Sequence, residues 1–237
     1  MKTRLQLRTS PVKILMASLV VMAGGCATAP PEIDTGAAVT HDGLYPVRNT
    51  RADEAWARPG FDLSRYDKIM LEEAGIEYRP GGESPRTTVD RSRSGGPYEV
   101  TEEQKGRLES VLMQAFHQEL GRSEVFEIVN EPGPEVLLVR GSLLDVVSNV
   151  PPEPVGVTDI YLTSVGEASL VVELRDSVTN AILARAVDRR AAERPGGDLF
   201  ESNRVTNTTE VRRLAQTWAS VLRTRLEELM TGPAGNE

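Results

Sequence analysis

The stretch from Gly166 to Glu193, GEASLVVELRDSVTNAILARAVDRRAAE, constrains the fold more than any other. Ala168, Leu170, Val172 and Leu174 fall on every second residue, which places them on one side of a pleated strand. The turn DSVTN supplies Asp176 and Asn180, residue types that bond their own backbone and tolerate left-handed conformations. AILARAVDRR then returns, so the stretch predicts a hairpin of two antiparallel strands.

Two amphipathic helices flank further strands. Thr101 followed by Gln104 makes a capping box, and Leu108, Val111, Leu112, Ala115, Phe116 and Leu120 recur at helical spacing until Gly121. The last helix is expected to open at Asn207, with Glu210 three positions on, and to present Val211, Leu214, Ala215, Trp218, Leu222, Leu226 and Leu229 on one face up to Met230. Strands are expected over Lys68–Tyr78, in VFEIV and in EVLLVRGSLLDVV, where Leu137, Val139, Gly141 and Leu143 alternate to one side. Pro151, Pro152 and Pro154 exclude a regular central strand from the segment that follows, which carries at most a short strand around Thr158–Thr163. The order of strand, helix, several strands and helix predicts an α+β two-layer sandwich, a mostly antiparallel sheet with two main helices packed on one face.

The N-terminus sets location. Lys2, Arg4, Arg8 and Lys13 precede an apolar run from Ile14 to Ala23, the pattern of a secretory signal peptide over 1–25. That run is about half the twenty residues a helical span requires. Ala23, Gly24 and Gly25 lead to Cys26, the single cysteine of the chain, which can form no internal disulfide. Residues 26–58, rich in Pro, Ala, Thr, Gly and Asp, read as a flexible tether with a reach of about 30 Å, with Leu44, Tyr45, Val47 and Trp56 as apolar exceptions that pack on the domain edge. A single domain over 59–231 and a tail over 232–237 complete the organisation.

Losing residues 1–25 removes four positive charges and leaves 23 basic against 35 acidic residues, a net charge of −12. Such a surface repels polyanions, so no nucleic acid is expected as a partner. Chemistry is sparse as well. The two histidines, His41 and His117, are far apart in sequence, no Gly-x-Ser-x-Gly elbow occurs, and no zinc-ligand spacing exists, so neither a cofactor nor a metal is expected. Asp145, Asp176 and Asp188 are the carboxylates from which a hydrolytic pair could be drawn. Arg185, Arg189 and Arg190 form a basic cluster that reads either as a contact for a partner's carboxylates or as charges guarding a strand edge. The loop Arg79–Pro97 is too polar and too rich in Gly and Pro to pack.

AGGC resembles the lipobox of bacterial lipoproteins, although Ala23 stands where that pattern usually has Leu. The resemblance implies that Cys26 carries a diacylglycerol and becomes the first residue after cleavage. Ala27 behind it, where the similar enterobacterial sorting pattern uses Asp for inner-membrane retention, implies the inner leaflet of the outer membrane. With DLSRYDKIMLEE, LLVRGSLLDVV and the hairpin before a Trp-bearing helix, the chain resembles the bacterial lipoprotein family named domain of unknown function 3313. That resemblance implies one exported α/β domain and no assigned activity. The expectation is therefore a non-enzymatic accessory or adaptor that binds an envelope protein or cell-wall partner, the alternative being an anchored cell-wall hydrolase with paired carboxylates.

Overall fold

The computed structural model describes residues 29–60, 62–80, 97–151 and 159–231. The signal segment, Cys26, most of the Arg79–Pro97 loop and the tail lie outside them. In chain order the elements are β1 (Glu32–Ile33), β2 (Tyr45–Arg48), β3 (Glu54–Ala57), β4 (Lys68–Tyr78), α1 (Glu102–Leu120), β5 (Glu127–Ile128), β6 (Val136–Ser148), β7 (Tyr161–Leu162), β8 (Ser164–Asp176), β9 (Ile182–Glu193), β10 (Phe200–Glu201) and α2 (Arg204–Met230).

The expected hairpin is β8–β9, with Leu170 opposite Asp188 and Leu174 opposite Ala184. Its turn closes as its residue types require. Asn180 has φ 57°, and the Asp176 carboxylate accepts from the Thr179 amide at 2.9 Å and hydroxyl at 2.8 Å. β6 adds antiparallel to β8, and β4 adds parallel to β6. A parallel neighbour needs a crossover connection, and α1 lies in it. Among the described residues the eight-stranded sheet has the order β1-β2-β3-β9-β8-β6-β4-β5, while β7 and β10 pair separately.

Apolar residues of alternate positions fill the helix-covered face. Leu137, Val139 and Leu143 of β6 and Ala168, Leu170, Val172 and Leu174 of β8 pack with Leu120, Trp218, Leu226 and Met230 of the helices. The fold is thus the α+β two-layer sandwich. Leu120, Leu137 and Leu226 are fully buried, each contributing about 1.5–3 kcal/mol relative to exposure.

Two expectations need correction. From Glu32 onward the segment read as a tether is part of the sheet: β3 pairs with β9, placing Ala57 opposite Ala184, and β1 and β2 extend that edge. Leu44 is fully buried, the Arg58 amide donates to Leu183 at 2.8 Å, and its side chain donates to Ile182 at 2.9 Å. Strands of two to four residues are too short to show a period of two, and Pro46, Ala55 and Ala57 dilute their apolar signal. The last helix opens at Asn203, not Asn207. The Asn203 side chain accepts from the Val205 and Thr206 amides at 3.0 Å, and the Thr206 hydroxyl accepts from the Asn203 amide at 3.1 Å. A hydroxyl closes this box where Glu or Gln is usual. Asn207 lies within the first turn, its amide donating to Ser202 at 3.1 Å.

Candidate functional site

The arginines read as one cluster are divided by the pleat. Arg185 and Arg189 stand opposite Glu173 and Ser169 on the outer face, whereas Arg190 stands opposite the buried Ala168 on the helix side. All of them are committed within the chain. Arg185 donates to Asp42 at 2.5 Å and to Glu173 at 2.9 Å. Arg189 donates to Asp145 at 3.2 Å and to Glu167 at 2.6 Å, and Arg190 donates to Asp188 at 2.5 Å. The edge-guarding reading fails for Arg185, because β9 is flanked by both β3 and β8 there.

Register extends this pairing across the outer face. Glu72, Arg140, Glu173, Arg185 and Trp56 are successive neighbours on β4, β6, β8, β9 and β3, a row of alternating charge that ends on an aromatic ring. A second group gathers Arg79, Asp145, Arg189 and Glu167. The hydrogen bond from Arg79 and the charges of Arg79 and Arg189 hold the Asp145 carboxyl below the usual range.

The carboxylates do not converge. Asp145 faces outward in that group. Asp188 accepts from Trp218 Nε1 at 2.8 Å, and Asp176 accepts from Tyr66 Oη at 2.9 Å and Arg65 at 2.8 Å. Asp188 pairs with Leu170, six residues along β8 from Asp176, or about 20 Å at ~3.3 Å per residue. A glycosidase pair requires about 5–9.5 Å. The Thr179 amide, the Thr179 and Tyr66 hydroxyls and Arg65 hold the Asp176 carboxyl below its ordinary range despite burial, the opposite of what a general acid needs. His41 and His117 are exposed and separate, and no metal-holding group of His, Cys, Asp and Glu occurs among the described residues.

A recess of about 80 Å³ lies between the sheet and the helices, and it was not anticipated from sequence. Gly141 of β6 faces it between its register neighbours Glu73 and Val172, so a side chain is missing from the centre of the apolar face. A Cβ added at Gly141 would meet nothing within 4 Å. Leu112, Phe116, Val172 and Leu222 line the space, and the exposed Glu73 and Glu109 stand at its mouth. Burial, and secondarily the charge of Glu109, push the Glu73 carboxyl up. A bulge follows, with Gly75 at φ 106°, and Tyr78 beyond it is pushed up to about 12 by burial and by Glu109 and Glu102. The signal was present in the sequence as a glycine at an inward position of a strand otherwise rich in branched residues.

The profile described as protein of unknown function (DUF3313) matches residues 34–222. The chain belongs to that family. The match begins within the N-terminal segment that the structure assigns to the sheet, and the DUF3313 description carries no activity. No curated protein matches the sequence. Among solved structures, the chain is similar to a protein from Xanthomonas campestris assigned to DUF330, at 12% identity and a TM-score of 0.40 over 74% of this chain and 90% of that one. It is also similar to the PelC dodecamer from Paraburkholderia phytofirmans, at 12% identity and 0.32 over 69% and 89%. A putative neuraminyllactose-binding hemagglutinin homolog from Helicobacter pylori matches at 10% identity and 0.30 over 69% and 82%.

Proposed function

We propose that this DUF3313 chain is an outer-membrane lipoprotein anchored at Cys26, facing the periplasm and acting as a non-enzymatic accessory that binds another envelope component. The observation that carries the binding role over hydrolysis is the fate of the carboxylates: Asp145, Asp176 and Asp188 are each held in structural bonds at separate places on the sheet. Residue composition supports the location, since the lipobox-like AGGC is followed by Ala27.

The sheet sharpens the geometry of such an anchor. β1 begins at Glu32, six residues after Cys26, a distance of at most about 20 Å when extended. The domain therefore rests close to the lipid surface instead of ranging on a long tether, which favours a partner that is itself in or against the membrane. Multiple acyl chains make that attachment durable, because each buried methylene adds about 0.8 kcal/mol.

Crosslinking in living cells tests the reading, with photoreactive residues replacing the exposed Leu144 and Glu72 on the outer face and Cys26→Ala as the mislocalised control. A discrete adduct that disappears in the control is expected. Outer-membrane fractionation without any adduct at either position would overturn the adaptor role, and fractionation with the inner membrane would overturn the location.

A further inference from the structure

The recess over Gly141 serves neither the anchor nor the charge rows of the outer face. Its volume is several times the roughly 10–15 Å³ that one water requires on the same measure, so it has room for a group of several heavy atoms. Its wall is apolar, and a polar guest would lose hydration there without compensation. Its mouth has the opposite character. Glu73 projects from β4 and Glu109 from α1, and among the described residues no cation is paired with either. The basic side chains on the preceding turn of α1 have other partners, Lys105 with Glu102 at 2.7 Å and over the Tyr78 ring at 5.2 Å, and Arg107 with Glu103 at 2.5 Å.

We propose that this recess is a binding site for a short aliphatic chain bearing a primary ammonium group. The chain lies over Gly141 among Leu112, Phe116, Val172 and Leu222, and the ammonium rests between Glu73 and Glu109. Three independent features support the assignment. A glycine in mid-strand removes the side chain that would fill the space, as happens where a ligand approaches a sheet closely. The bulge between Glu73 and Gly75 re-aims the strand at the mouth. Two carboxylates that repel each other across an apolar opening are complementary to a cation that neutralises both. An alcohol of the same length satisfies only the wall, and a carboxylate is repelled at the mouth.

The recess is tested on the full-length chain in phospholipid nanodiscs, with and without Cys26→Ala. Methyl NMR follows Leu112, Val172 and Leu222 during titration with n-hexylamine, n-hexanol and hexanoate at neutral pH. Saturable shifts at these methyls are expected for the amine, with the alcohol binding about ten-fold more weakly, the equivalent of about 1.4 kcal/mol. The exposed pair Glu73→Gln with Glu109→Gln leaves the core untouched and should erase the preference for amine over alcohol. Gly141→Val should abolish binding of both, with its fold verified by an unchanged methyl spectrum away from the recess. Equal affinity for amine and alcohol, the absence of saturable shifts at the three methyls, or a preference that survives loss of both carboxylates would each overturn the proposal. Loss of outer-membrane attachment in the Cys26→Ala chain with amine binding intact would leave this site standing whatever becomes of the anchor.

Discussion

The two faces of the central sheet are built from the same strands and follow opposite rules. On the helix side, β6 and β8 present Leu137, Val139, Leu143, Leu170 and Val172 to a layer of two helices. On the other side, the residues between them form the row Glu72, Arg140, Glu173 and Arg185. Burial on the first face is worth kilocalories per residue, whereas exposed ion pairs such as Arg140–Glu72 typically give about 0–1 kcal/mol each, and in that row only the pairs around Arg185 are shielded from water. Stability should therefore sit mainly on the helix side, with Leu44, Val136 and Leu138 as buried apolar residues outside the helix-covered core.

The largest expected effect follows directly. Leu226→Ala, at a position with no exposed surface, should lower unfolding free energy by about 2–5 kcal/mol in urea titrations, with the slope unchanged. A loss well below 1 kcal/mol would mean that α2 is not firmly packed on the sheet, and the contrast between faces would collapse.

Asp176 tests the boundary between the two rules, because it is a buried carboxylate at the end of a strand of the apolar face. Asp176→Asn should cost about 1–3 kcal/mol at neutral pH, since Tyr66, Arg65 and Thr179 all donate to the ionised form. Its folded carboxyl is held below the unfolded value of about 3.9, so the contribution is fully present above that pH and fades as pH falls through the folded value. Wild type and variant should converge in stability on acidification below about pH 4. A gap that stays constant to low pH would assign the effect to shape instead of charge.

On the outer face, Arg185→Ala should cost about 1–2 kcal/mol, because Arg185 is largely shielded and its loss strands Asp42, while Arg175 remains at 2.8 Å from Glu173. The difference should shrink further in 1 M salt. A cost rivalling that of Leu226→Ala, insensitive to salt, would show that the charge row holds the N-terminal strands in place through Asp42.

How much of this was legible in the sequence depended on element length. The hairpin turn at Asp176–Asn180, the capping box at Thr101 and Gln104, and the bounds of β4 were all readable, because long alternating or helical stretches repeat their pattern several times. The N-terminal strands were not, since four residues such as EAWA give no period, and their pairing with β9 depends on partners more than a hundred residues away. The arginine cluster was misread for a related reason. Sequence adjacency placed Arg189 and Arg190 together, and the pleat sends neighbours to opposite faces. The recess lay hidden because a missing side chain leaves no apolar signal: Gly141 kept the alternation of β6 while emptying its centre.

That gap supports the smallest expected effect, and one of reversed sign. On a face where removing atoms is costly, adding a methyl at Gly141 should be harmless, because the new Cβ meets nothing within 4 Å and the backbone there has no left-handed φ. Replacing glycine also restricts the unfolded chain, so Gly141→Ala should raise stability by about 0.4–1 kcal/mol. The gain should appear as a higher urea midpoint at constant slope. Such a gain would show that the space over Gly141 is unfilled, as the proposed amine site requires. If Gly141→Ala instead destabilises the fold, the space is already filled by relaxation of Phe116 or Leu222, and the helix side is uniformly packed after all.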